Sequence, residues 1–592
     1  MPAWAAAYQG MHTITPDLHP VAYRPLHEEV VGSVRLALLT LQVAVVFVLL
    51  IACANISNLL LARAEVRSSE IAVRVALGAS RGRMARQFLT ESLVLGVLGA
   101  GSGILCAMWG LDAVMALLPE GIPRASEIQL DTTVLAYAVA VAMGTSLVLG
   151  LTPIFHASGD LGGTLRAAGQ RTTSSRGKQL FRRALILVQV ALAIVLVTGA
   201  GLMIRSFVHI QKTELGFDPR GLVTLNLALP KKAYPTDADV MAFWNRLLEG
   251  ARALPGVQGA TLVEGLPPMR PINSNSFDIV GRVPPPPTQK EWNVDYWQLT
   301  GDEYFSTMRV ALVRGRLFDA TDTETSPKVA IINEAMAREY WPDEDPIGKR
   351  IRATRQAPMG ESPAEQTIIG IVADVKQAGL DNKAGTELYL PIRQTPGWHR
   401  QVAGETFVPR ALYLVLRAEG DPRSLLASVR AYVASRDGGL PIAHLETMDR
   451  VVYDAIAKPR FLTTLLSFFA GVALLMAAIG IYGVMSYSVE QRTKELSIRM
   501  ALGADAGRLQ RMLVLEGMRL AVMGIAVGLV AAGGVTVALG HWFNRLLFEV
   551  SGLDPATYAL VIVVTGGVAA LASYIPARRA TRVHPMAAMR HE

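Results

Sequence analysis

The chain has 592 residues, of which 51% are hydrophobic and only 18% charged. Soluble globular chains carry about 25% charge, so this composition argues against a wholly soluble protein and for membrane segments. The formal net charge is +8, which would suit a nucleic-acid partner until the placement of the basic residues is considered. The two cysteines, Cys53 and Cys106, both lie in apolar runs. They support neither a disulfide framework nor a zinc site, and they read as small residues facing lipid or a neighbouring helix.

A membrane span needs about 20 mostly apolar residues. In chain order the stretches that qualify are roughly 36–62, 88–111, 132–155, 184–204, 461–487, 513–540 and 556–577. The segments between them alternate in charge. Residues 63–87 carry Arg63, Arg67, Arg74, Arg81, Arg83 and Arg86, and residues 156–183 carry Arg166, Arg171, Arg176, Lys178, Arg182 and Arg183. Residues 488–512 carry Arg492, Lys494, Arg499, Arg508 and Arg511, and the tail carries Arg578, Arg579, Arg582 and Arg590. The opposite short loops hold only Arg124 and Arg545. Basic loops stay inside, so the C-terminus is expected in the cytoplasm. The tail 1–33 and the long segment 206–459 are expected outside. The basic excess then faces anionic lipid and needs no nucleic acid. No basic start followed by an apolar core marks a signal peptide within 1–33.

The segment between the fourth and fifth spans reads as mixed α and β. Strand-like runs fall at 222–229, 328–333, 367–375 and 411–417. Helix-like runs fall at 238–254, 334–340 and 422–435. VPPPPT at 283–288 reads as an exposed extended loop. Trp292, Tyr296, Trp297, Trp341 and Trp398 could line a ligand or partner surface, but such residues more often build a core.

The chain repeats itself. EVRSSEIAVRVALGASRGRMARQFLTE at 65–91 aligns with EQRTKELSIRMALGADAGRLQRMLVLE at 490–516. Glu65, Arg67, Glu70, Arg74, Ala76, Leu77, Gly78, Ala79, Gly82, Arg83, Arg86 and Glu91 all recur, and Gly99 and Gly103 answer Gly524 and Gly528. Asp131 and Asp554 open the last span of each copy, and Pro153 and Pro576 are expected to close them. Glu70 and Arg74 stand four apart with the acid first, the favourable order on a helix, as do Glu495 and Arg499. Gly78 and Gly503 suit a helix stop. Ser80 and Asp505 are both good N-caps. The repeat therefore predicts a short helix, a glycine stop and a capped helix entering the next span. A single such turn would be read as a basic anchor with a solvated ion pair. Two copies with the same helix, stop and cap favour a shared docking role.

Enzymatic signatures are missing from the sequence. It contains no GxxxxGK[ST] phosphate loop and no HExxH. The ten histidines are scattered. No acidic residue stands near the middle of a span, so no ion relay is advertised. No catalytic residue, metal site or cofactor is expected. Glu91 and Glu516, at span ends, read as interface anchors.

The repeated R-x-x-E-[IL]-x-[IV]-R-x-A-L-G-A segment resembles the turn of MacB/FtsX-type ABC transporter permeases. VLLIACANISNLLLAR (48–63), FRRALILVQVALAIVLVTGAGLMIRSF (181–207), VAIINEAMAREYWPDEDPIGKRI (329–351) and IIGIVADVKQAGLDNKAGTELYLPI (368–392) are similar to the long duplicated, ADOP-like members. The resemblance implies a multi-spanning α-helical membrane protein with about seven transmembrane helices, a duplicated FtsX-like unit and one α+β MacB-like periplasmic domain. It implies a remnant tail of a first periplasmic domain at 1–33 and a three-helix unit at 34–158. A cytoplasmic linker at 159–183, a span at 184–206, the periplasmic core at 207–459 and a second three-helix unit at 460–592 follow. Members of this family carry one span, an outer domain and three spans in each half. This chain has three spans and then four, so the resemblance expects an N-terminally truncated member or a late start codon.

The resemblance also implies a bacterial inner-membrane permease subunit without its own ATPase site, coupled to a separate ABC ATPase dimer. That ATPase would drive efflux or mechanotransmission of antibiotics, peptides or lipoproteins, in concert with a periplasmic or outer-membrane partner. The implied ATPase-coupling residues are Glu70, Arg74, Ala76, Leu77, Gly78 and Ala79, with Glu495, Arg499, Ala501, Leu502, Gly503 and Ala504. The alternative is a non-transporting sensor or scaffold signalling to a periplasmic partner.

Overall fold

The computed structural model describes residues 26–66, 81–118, 128–157, 176–283, 285–286, 292–353, 365–395, 408–502, 504–540 and 547–581. The chain divides into two compact units, a helical unit from Pro25–His209 and Lys458–Glu592, and a sheet domain centred on Ile210–Ala457.

The helical unit begins with α1 (Leu26–Val66), α2 (Arg81–Leu117), α3 (Thr132–Ala157) and α4 (Arg176–Lys212). Among the described residues six helices are long and apolar enough to cross a membrane. The seventh expected span is α3, a continuous helix whose apolar portion is the shorter stretch Thr132–Val148. Asp131 caps it, its Oδ1 accepting from the Val134 amide at 2.7 Å. Cys53 is half-buried, Cys106 is exposed, and both are free.

The sheet domain follows in the order β1 (Leu222–Ala228), α5 (Asp237–Arg252), β2 (Val257–Val263), β3 (Asn275–Ile279), β4 (Asn293–Val294) and β5 (Tyr296–Thr300). Next come α6 (Tyr304–Met308), β6 (Leu312–Gly315), β7 (Val329–Asn333), α7 (Glu334–Tyr340), β8 (Arg350–Ala353), β9 (Glu365–Val372) and β10 (Glu387–Pro391). β11 (Ala411–Ala418), α8 (Leu425–Arg436), β12 (Ala443–Thr447) and α9 (Met448–Ala455) complete it. One mixed sheet runs β12-β1-β11-β2-β5-β10-β7-β9-β8-β3-β4, with β6 on β9. Most pairs are antiparallel; β10 with β5 and β7 with β9 are parallel.

Strand alternation splits the sheet into two cores. Leu388, Leu390, Leu414 and Leu416 face one core, where α5 and α8 cover them with Val240, Phe243, Trp244, Leu247, Val429 and Val433. Tyr389, Val415 and Ile331 face the other, under Tyr304, Phe305 and Met308 of α6 and Met448 and Val451 of α9. The spacing of Val240, Phe243, Trp244, Leu247 and Ala251 gives α5 its buried stripe, and a Thr236–Asp239 capping box starts the helix. Tyr296, Trp297 and Trp341 are buried, and Trp292 packs on the first core. These four aromatics are core residues; Trp398 lies outside the described residues.

The helical unit resumes with α10 (Ala457–Gln491), α11 (Thr493–Ala501), α12 (Ala506–Ala538) and α13 (Pro555–Thr581). Pro576 lies inside α13 and Pro153 inside α3, so neither ends its helix as expected. Membrane helices tolerate such a proline because neighbouring groups satisfy the backbone it frees. Two apolar clusters share α4. Ile186, Val190 and Ile194 join Ile481, Met485, Leu513, Ile525 and Ala569 in one. Ala193, Leu196, Ala200 and Met203 join Ala44 and Ile51 of α1 and Ala473 and Ala477 of α10 in the other.

The sheet domain buries charge as well as apolar surface. Arg417 donates to the carbonyls of Thr307, Arg220 and Asp218 at 2.6, 2.8 and 2.9 Å, so its guanidinium is well satisfied. Arg270 donates to the Trp297 carbonyl and lies 3.9 Å from the Glu264 carboxylate. Glu387 is fully buried. It accepts from Gln377 Nε2 at 3.1 Å and from the Tyr389 hydroxyl. Burial pushes its carboxyl up to about 8, against the pull of Tyr389, Gln377 and Arg270, while Asp374 pushes the same way as burial. The folded domain therefore holds a proton that the unfolded chain releases near pH 4.5. The cost is absent at lower pH, grows as pH rises to about 8 and is constant above. Denaturant titrations followed by Trp244, Trp297 and Trp341 fluorescence should show the sheet domain losing stability across that window. Glu387→Gln should remove that pH slope.

Candidate functional site

The repeated turn is the candidate site, and its second copy is described. Residues Glu70, Arg74, Ala76, Leu77, Gly78 and Ala79 of the first copy, and Gly503 of the second, lie outside the described residues.

α11 is short, and its sequence TKELSIRMA divides it into two faces. Leu496 is buried against Leu509 and Leu513 of α12 and Ala577 of α13, with Met500 and Ala504 packed beside it. The i, i+4 spacing of Leu496 and Met500 puts both on one side. Glu495 and Arg499 form the expected ion pair, Nη2 to Oε1 at 2.5 Å, with both side chains about half exposed. Arg499 also reaches Met512 Sδ of α12 at 3.9 Å. Ile498 and Leu502, again four apart, stand exposed, Leu502 by 83%. Water therefore meets a short apolar ridge and one ion pair on a helix anchored from behind.

The chain leaves α11 by hydrogen bonds from the Leu502 amide to the Ile498 carbonyl at 3.0 Å and from the Ala504 amide to the Arg499 carbonyl at 2.9 Å. Asp505 then caps α12, accepting from the Arg508 amide at 3.0 Å. This is the cap that the repeat predicts.

One carboxylate ties the turn to its surroundings. Glu516 of α12 receives Arg492, which joins α10 to α11, at 3.1 Å, and Arg183 of α4 at 3.8 Å. Arg182 lies over the Tyr487 ring at 4.5 Å, and Arg579 of α13 donates to the Tyr482 hydroxyl at 3.0 Å. The start of α4, the end of α10, α12 and the end of α13 are thus linked around the turn. Glu516 is thus an ion-pair node within the helical unit. The signal existed: Arg492 and Glu516 repeat Arg67 and Glu91, and both positions recur together.

α4 is also tied at its other end. Arg205 pairs with Asp554, the cap of α13, whose Oδ2 accepts from the Thr557 amide at 2.8 Å. Ser206 Oγ accepts from the Phe548 amide at 2.8 Å. Among the described residues no cluster of His, Cys, Asp and Glu could hold a metal ion.

Comparison with known proteins places this geometry. The family model described as FtsX-like permease C-terminal matches residues 43–160 and again 467–585. The model described as MacB-like periplasmic core domain matches 185–432. The chain is a MacB/FtsX-type ABC transporter permease. It is 24% identical over 289 residues to the macrolide export ATP-binding/permease protein MacB of Neisseria gonorrhoeae, covering 49% of this chain and 42% of that protein. It is 26% identical over 301 residues to the probable syringafactin export ATP-binding/permease protein SyfD of Pseudomonas syringae pv. tomato, with the same coverage. The match thus spans less than half the length of these relatives. Among solved structures, the periplasmic region of MacB from Actinobacillus actinomycetemcomitans is similar at 15% identity, with a TM-score of 0.27, over 41% of this chain and 95% of that one. The extracellular domain of the transporter YknZ from Gram-positive bacteria is similar at 16% identity and a TM-score of 0.23, over 37% and 98%.

The cap gives a direct test of the turn. Asp505→Ala should cost about 1 kcal/mol at the start of α12, seen as faster hydrogen exchange of the Ala506–Leu509 amides. Asp505→Ser, the residue that the first copy carries at Ser80, should leave exchange unchanged.

Proposed function

We propose that this permease is driven by a separate ABC ATPase dimer, which docks on the two repeated turns. Glu70, Arg74, Ala76, Leu77, Gly78 and Ala79 form one docking point, and Glu495, Arg499, Ala501, Leu502, Gly503 and Ala504 the other. The observation that carries this reading is the second turn itself: an exposed ridge of Ile498 and Leu502 beside the Glu495–Arg499 pair, on a helix held by Leu496 and braced through Arg492 and Glu516. A braced helix passes displacement on instead of absorbing it. Glu516 also holds Arg183 of α4, and α4 continues unbroken to Lys212, its last residues belonging to the sheet domain. ATP-driven closure would move the turns, and α4 and α10 would carry that movement to the sheet domain.

The chain resides in a bacterial inner membrane with the turns and C-terminus in the cytoplasm, a reading supported by the arginine-rich segments beside the turns. The output is efflux or mechanotransmission acting on antibiotics, peptides or lipoproteins in the periplasm, aided by a periplasmic or outer-membrane partner. Export of a macrolide and of syringafactin, named for the relatives above, supports this class of cargo. The domain limits are those implied at 34–158, 184–206, 207–459 and 460–592.

Charge reversal at both turns, Glu70→Lys with Glu495→Lys, should abolish co-purification of the permease with its ATPase while leaving the permease folded. ATPase binding that survives the double substitution would remove the docking assignment. In reconstituted vesicles, ATP-dependent movement of a small substrate is the expected result, and it separates transport from a purely signalling scaffold.

A further inference from the structure

The two membrane repeats differ at a position where they touch. Residue 55 aligns with residue 480 in the register that pairs 65 with 490, and the two copies carry Asn55 and Gly480 there. In the structure these residues meet. A methyl group on Gly480 would lie 2.7 Å from Asn55 Oδ1 and 2.5 and 2.6 Å from Gln189 Nε2 and Oε1. Asn55 Nδ2 donates to the Met476 carbonyl at 2.9 Å, and Gln189 Nε2 donates to the same oxygen at 2.6 Å. Gln189 is completely buried. The surroundings are apolar: Ile51 of α1, Ala193 and Leu196 of α4, and Ala473 and Ala477 of α10.

Each part of this arrangement needs the others. A carboxamide inside an apolar bundle is costly unless it finds a partner, and helix carbonyls are the partners at hand. Helical side chains lean back over the preceding turn. Any side chain at 480 would therefore cover the Met476 carbonyl. Glycine uncovers it, and two amides from two other helices close over the gap.

The position also carries a symmetry argument. When two copies of a unit pair about a two-fold axis, a residue that touches its own counterpart lies on the axis. Two glycines there would leave a hole and uncovered carbonyls. Two asparagines would place two side chains in the space for one. Only an unlike pair fills the site once. We propose that Asn55, with Gln189, and Gly480 form a heterotypic interlock, so that the first repeat takes the second repeat of its own chain as its partner surface and refuses a like repeat from another chain. This pairing stands independently of what the protein transports.

The chain supplies its own control. Asn58 and Gly483 show the same exchange in the same register, but a methyl on Gly483 meets nothing within 4 Å among the described residues. In the purified full-length chain, Gly480→Ala should lower the melting temperature by roughly 5 °C or more, whereas Gly483→Ala should leave it unchanged. Asn55→Ala with Gln189→Ala should be less harmful in the Gly480→Ala background than in the wild type, because they vacate the space that the methyl needs. Equal effects of the two glycine substitutions, or strict additivity, would overturn the interlock. Pairing is read separately with Ile51→Cys, one turn before Asn55, in a Cys53→Ser, Cys106→Ser background. Oxidation in native membranes should leave this chain monomeric on denaturing gels. A disulfide-linked dimer would show like repeats facing each other and overturn the proposal, even where Gly480→Ala fails to accumulate.

Discussion

Val190 and Ile194 of α4 sit where Gly524 and Gly528 of α12 leave out their side chains. A methyl at either glycine would lie within 2.7 Å of those two residues. A bilayer offers no hydrophobic drive between helices, so association depends on close approach and on interhelical polar contacts. The glycine notch provides the close approach, and the rest of the helical unit is arranged around the helix it admits. α4 is half-buried across its apolar window, more than any other candidate span, and it contributes to both apolar clusters. Ion pairs then fix its two ends, Arg183 to Glu516 and Arg205 to Asp554. Packing sets how close the helix comes, and the ion pairs set how far it can slide.

The first repeat keeps the glycines but not the contact. A methyl on Gly99 or Gly103 would meet nothing within 4 Å among the described residues, and Leu95, Val97, Leu98 and Leu105 of the same helix are exposed. The Asp131 and Asp554 caps do behave alike in the two copies. This cap, decided within one turn of helix, is therefore preserved between the copies. Features decided by a neighbouring helix diverge between them, at 99 and 103 as at 55 and 480.

The same division explains what could be read from the sequence. The spans, the strands β1, β7, β9 and β11 and the helix–cap turn are legible because each depends on a period or a spacing of a few residues. The strand of β11, the stripe of α5, the Glu495–Arg499 pair and the Asp505 cap are all of this kind. The Glu516 node was half legible: its repetition marked it, but Arg183 comes from a helix far away in sequence. Asn55 is one of three polar residues, with Ser57 and Asn58, in an apolar run, and nothing local says that a glycine 425 positions later exposes its acceptor. The buried Glu387 was invisible for a similar reason. ELYLP forms a five-residue strand, and only the fold brings Gln377 and Arg270 to its Glu387.

The surface of the turn bears on how docking energy is divided. An exposed i, i+4 ion pair contributes only about 0.5 kcal/mol to its own helix, and salt screens it further. Glu495 and Arg499 therefore do little to make α11 stable; the burial of Leu496 does. Freed from a structural task, the pair can orient a partner and reject wrongly charged ones, which is where surface charge acts best. Binding strength on the proposed interface must then come from Ile498 and Leu502, whose burial removes apolar area from water at roughly 25 cal/mol per Å². Separating the two tasks lets an ATPase grip the ridge firmly while the charges fix its angle. A grip with a fixed angle is what a turn needs to hand on a displacement instead of swivelling under it.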